Sequence, residues 1–289
     1  MASFSTEMNT SHKIRSLSLP SKLNPINHRI EQELKRLRSK EEASTSASES
    51  IIIGVSGLEK LYGCINQALS LPMTQQALSL RQHEKHVAEL FKGCSSLLNA
   101  CSLIKEVVFQ QVEITKSLES SFTEKEDILK IRSNIANYNS LRKEVIGKAK
   151  DILMSLNQLN AEVLGDEDCH RSTVIKSLRC VSIINLSVFE SLILFLSVPM
   201  SRQKKSLVSK LMNKAGKWKY ESGNEINDVD NVLHQLVSTK DANDQKLLCY
   251  SLGKSKVLVG VVEGIQNDLE KMCTQLSNTK LSLMNILSF

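Results

Sequence analysis

The sequence predicts an all-α protein: an elongated antiparallel bundle of long helices preceded by a disordered tail. Two observations carry this. Apolar residues recur in alternating steps of four and three over three long stretches, the period of a helix that keeps one stripe against a partner. The 289 residues also hold only 4 Pro, 11 Gly and 4% aromatics. A sheet protein of this length needs more turn residues and more β-branched and aromatic runs.

Residues 1–24 show no periodicity, are rich in Ser and basic residues, and carry Glu7 as their one acid. They are read as a disordered tail, and residues 25–289 as a single helical-bundle domain. Ile26, Ile30, Leu34 and Leu37 follow helical spacing with a charged opposite face. The polar run at 41–50 is read as a linker. Val55, Leu58, Tyr62, Ile65 and Leu69 mark a second helix, broken at Pro72, where a new helix starts at once because Pro is tolerated at the first helical position.

The regular stripes follow. The first runs through Leu90, Cys94, Leu97, Cys101, Ile104, Val108, Gln111, Thr115 and Leu118. Ile128, Ile131, Ile135 and Tyr138, then Val145, Ala149, Ile152, Leu156 and Leu159, form a second on either side of Arg142. Leu258, Val262, Ile265, Leu269, Met272, Leu276, Thr279, Leu283 and Ile286 form a third. Several such stripes in one chain bury each other most simply as antiparallel neighbours. Breaks are expected near 120–124, 165–170, 198–201, 221–227 and 240–244.

Residues 181–198 are almost uncharged, with Glu190 at the centre. A core helix, apolar on most faces, accounts for this composition. A membrane span is the alternative, at the lower edge of the required length and with a costly central carboxylate. Next comes a basic run with no acid between Glu190 and Glu221, holding Arg202, Lys204, Lys205, Lys210, Lys214, Lys217 and Lys219. Leu207, Leu211, Ala215 and Trp218 share one helical face there. Such a segment can lie on an anionic membrane or enter a calmodulin groove. A solvated helix docked on the bundle is the plainer reading.

The net charge of +6 is mild, and no aromatic–basic interleaving points to nucleic acid. The seven cysteines include no CxxC, and are expected to be reduced thiols serving as small hydrophobes. Neither common phosphate cradle nor a nucleophile elbow occurs. His83 and His86 lie one turn apart without further ligands nearby in sequence. No catalytic, cofactor-binding or metal site is therefore assigned, no small-molecule substrate is identified, and the chain is expected not to be an enzyme.

One short motif has a nameable chemistry. In Arg15-Ser16-Leu17-Ser18-Leu19-Pro20, Arg15 lies three residues before Ser18, the spacing a basophilic kinase uses, and Pro20 lies two after it. Phosphorylated Ser18 would suit the Arg-lined grooves of 14-3-3 proteins. The same composition fits a plastid transit peptide, in which case the tail is removed.

Several segments together carry a resemblance. They are Arg15–Ser21, Leu71-Pro-Met-Thr-Gln-Gln-Ala-Leu-Ser79 with Gln82-His-Glu-Lys85, Glu190–Ser197, Ser206–Met212 and Leu281–Ser288. The chain resembles the plant-specific family that includes the BYPASS-type proteins. That resemblance implies a role in root and shoot development, and no established activity, cofactor or site residues. His86 departs from it, since a Trp is expected after Gln-His-Glu-Lys. The expectation is a cytoplasmic helical interaction or scaffold protein, regulated through its tail. A peripheral membrane protein held by residues 202–219 is the alternative, and an enzyme with an unrecognised site a second one.

Overall fold

The computed structural model describes residues 24–124, 128–163, 173–197, 224–238 and 245–288. Every regular element among them is a helix: α1 (Asn24–Ala43), α2 (Ala47–Leu69), α3 (Pro72–Leu78), α4 (Arg81–Thr123), α5 (Ile128–Val163), α6 (Thr173–Ser197), α7 (Glu225–Ser238) and α8 (Gln245–Leu287). The 43 residues of α4 and of α8 make each about 65 Å long at 1.5 Å per residue.

The stripes are buried as their spacing requires. All nine positions of the α4 stripe and all nine of the α8 stripe are buried. Among the described residues these two helices make the most extensive contact. They run antiparallel, since Lys105 pairs with Glu270 at 2.8 Å and Lys116 with Glu263 at 2.7 Å. Lys148 of α5 meets Glu106 of α4, and Arg142 of α5 meets the end of α6, so consecutive long helices fold back on each other. On the far side α2 lies parallel to α8, with Asn66 donating to the Gln275 carbonyl at 2.9 Å and accepting from the Thr279 hydroxyl at 2.6 Å. One contiguous apolar core takes residues from all eight helices.

By length and composition α4 and α6 could each cross a membrane. In the bundle α6 packs against α2, α4 and α5, and 67% of its apolar window is buried. The structure thus gives the core-helix reading of residues 181–197, with Asn185 bonded inside the core rather than facing lipid. Glycine permits the closest approach: a Cβ on Gly54 would stand 2.9 Å from Val188 of α6, and one on Gly57 2.5 Å from Leu37 of α1.

Three expectations are corrected. The linker at 41–50 shrinks to 44–46, because Ser46 caps α2 by accepting from the Glu49 N–H at 3.1 Å. Glu49 reaches back to the Thr45 N–H at 2.8 Å, and these bonds hold its carboxyl below the usual range. The helix begun at Pro72 lasts seven residues before a break at Ser79–Leu80, after which α4 begins. Finally, not every cysteine is an unpaired thiol: Cys101 and Cys273 are disulfide-bonded across the α4–α8 seam, with Cα atoms 6.8 Å apart.

Candidate functional site

Arg15, Ser16, Ser18 and Pro20 lie outside the described residues, as do Arg202, Lys204, Lys205, Lys210, Lys214, Lys217, Trp218 and Lys219. The two ends from which the basic segment departs are described, and they meet in a buried polar clasp.

Asn224 is the hinge of this clasp. Its side chain is buried, and its Nδ2 donates to the Phe195 carbonyl at 2.9 Å while its Oδ1 accepts from the Ile226 N–H at 2.9 Å. One side chain thus serves an orphan carbonyl at the C-terminus of α6 and an orphan N–H at the N-terminus of α7. Arg142, buried on α5, donates through Nη1 to the next α6 carbonyl, that of Leu196. A cation at a helix C-terminus also complements the helix dipole.

Three further contacts fasten α7. Asp230 lies with Oδ2 3.5 Å from the Arg142 Nε, and its Oδ1 accepts from the buried Tyr138 hydroxyl at 3.0 Å. Ser48, at the start of α2, donates to the Glu225 carboxylate. Burial raises the Asp230 carboxyl above its ordinary range, against the opposing pull of Arg142 and Tyr138. Burial, reinforced by Asp230, pushes the Tyr138 phenol up, so it remains a hydrogen-bond donor.

A second polar pair sits in the core: Asn185 of α6 donates to the Tyr62 hydroxyl of α2 at 2.9 Å. His83 and His86 do not converge on a ligand set. Instead His86 faces Glu89 at 3.7 Å, and Glu89 accepts from Arg179 at 2.9 Å. Among the described residues no group of three His, Cys, Asp or Glu could hold a metal ion. The clasp is thus built to hold two chain ends together, with each of its charges turned toward a partner within the bundle.

The sequence does not mark Asn224, Tyr138, Arg142 and Asp230 as a group. It carries one signal: Arg142 occupies a position of the apolar α5 stripe, and a buried cation requires a buried acceptor. Its partners lie 54 and 88 residues along the chain, where nothing local announces them.

No curated protein and no solved structure matches this chain. A family model described as Protein BPS1 matches residues 54–286, from within α2 almost to the end of α8. The chain therefore belongs to the BPS1 family, the BYPASS-type family its motifs resemble, and membership points to a role in plant development.

Proposed function

We propose that this BPS1-family chain is a non-enzymatic helical scaffold in root and shoot development. Its bundle presents long helical faces to protein partners, and its tail regulates them through phosphorylation of Ser18. The observation that supports this is how the buried polar groups are used. Tyr62 with Asn185, and Tyr138 with Asp230 and Arg142, are engaged in joining helices to one another. These groups serve cohesion, which fits a protein whose task is to present surfaces. The tail carries Arg15, Ser16, Ser18 and Pro20 in the spacing of a 14-3-3 ligand.

The test is a pull-down of 14-3-3 proteins with full-length chain phosphorylated at Ser18, against the Ser18→Ala variant. Recovery with the phosphorylated chain alone supports the reading. Equal recovery from both removes the tail's role.

A second reading is favoured by the clasp. Asn224 ties the start of α7 to the Phe195 carbonyl, so the described residues on either side of the basic segment lie together. A basic segment tethered at both ends is suited to contact an anionic bilayer while the bundle stays outside it. Flotation with vesicles containing phosphatidylserine, against neutral vesicles, tests this. Replacing Lys204, Lys205, Lys210 and Lys214 by Gln should abolish flotation. Absence of wild-type flotation on either vesicle removes the membrane reading.

A further inference from the structure

The seam between α4 and α8 holds one feature that its packing does not require. Leu97 and Ile104 on α4, with Leu269 and Leu276 on α8, are buried on either side of Cys101 and Cys273. These aliphatic side chains pack the seam on both sides of the two sulfurs. We propose that Cys101 and Cys273 are a reversible redox-modification site, oxidised by a low-molecular-weight disulfide of the glutathione type and cross-linking α4 to α8.

The geometry suits such a couple. The two Cα atoms are 6.8 Å apart, within the span a disulfide bridges. The two sulfurs differ in access: Cys101 is fully buried, whereas Cys273 is half-buried on the lip of the seam. Entry is therefore through Cys273. Its thiolate attacks one sulfur of oxidised glutathione, forming a mixed disulfide and expelling one glutathione thiolate. The Cys101 thiolate then attacks the Cys273 sulfur and expels the second. Two electrons pass from the protein to the reagent, and the two cysteine protons end on the two released thiols.

The neighbouring thiols are less suited. Cys64 and Cys94 are buried and lack the access that Cys273 has. Cys249 is exposed near the start of α8 and serves as an internal control for simple glutathione capture. The bond closes a loop of 172 residues between the two longest helices. Oxidation should therefore stabilise the whole bundle, chiefly by restricting the unfolded chain.

The test uses the full-length chain, fully reduced and then treated with oxidised glutathione. Peptide mass spectrometry should find Cys101 linked to Cys273 and Cys249 glutathionylated. Thermal unfolding of the oxidised chain should be raised by roughly 5–10 °C and restored by dithiothreitol. Cys101→Ala should lose the rise and trap glutathione on Cys273. Cys273→Ser should lose the rise and leave Cys101 unmodified. Should either variant fold poorly, the wild-type comparison still decides. Alkylation of both Cys101 and Cys273 after oxidation, linkage of either to another cysteine, or an unchanged Tm in the linked wild type overturns the proposal.

Discussion

The α4–α8 seam and the clasp at the root of α7 are both buried, but they are held by opposite means. The seam is mostly apolar and repeats every three or four residues, so most contacts resemble the next, and charges such as Lys105 and Glu270 stay on its lip. The clasp depends on single polar groups: the Asn224 amide, the Arg142 guanidinium, the Tyr138 hydroxyl and the Asp230 and Glu225 carboxylates, drawn from distant parts of the chain. A repetitive apolar contact tolerates loss of one member by degrees, because burial is roughly proportional to area. A polar clasp fails in discrete steps, since removing one partner leaves another buried and unsatisfied.

Four changes separate these behaviours, the most damaging first. Leu269→Ala, fully buried at the seam, should lower stability by about 3 kcal/mol through lost burial and a residual cavity. Urea denaturation measures this, and a loss near zero would mean that the seam is not close-packed. Arg142→Ala should cost about 2 kcal/mol by stripping the Leu196 carbonyl and leaving Asp230 without its counter-charge. That figure is at the low end for a buried pair because the Asp230 side chain keeps 32% of its surface exposed. Combining Arg142→Met with Asp230→Asn should recover part of the loss. No recovery would place the role of Arg142 in the α6 carbonyl alone.

Ser46→Ala should cost about 1 kcal/mol by removing the α2 cap, again read from urea midpoints. The smallest effect is one of pH. Burial holds Asp230 above its ordinary range, so the folded chain binds that proton more tightly than the unfolded chain. Stability contributed by the protonated form is present below the unfolded pKa, about 3.9, and is lost as pH rises through the higher folded value. Asp230→Asn should give a flatter Tm profile than wild type over that window. Superimposable profiles would show that the carboxyl behaves as in water.

Much of the bundle is legible in the amino-acid sequence. Stripe positions from Leu90 to Leu118 and from Leu258 to Ile286 are all buried, because helical period and apolar character are local properties of the chain. Boundaries are less legible. The cap at Ser46 shortens the linker, and the break at Ser79–Leu80 divides what reads as one helix from Pro72. Composition leaves the role of residues 181–198 open, since a core helix and a membrane span share it. Packing against α2, α4 and α5 gives the core role.

Spacing within a turn or two specifies the all-α class, the long helices and the face each one buries. Which helices become neighbours is a property of the folded chain alone. So are the meetings of Cys101 with Cys273, of Asn185 with Tyr62, and of Arg142, Asp230 and Asn224 at the root of the basic segment. The physical reason is distance along the chain. Apolar stripes are interchangeable and accept many partners, whereas a buried charge or amide needs one particular atom, which the fold must bring from far away.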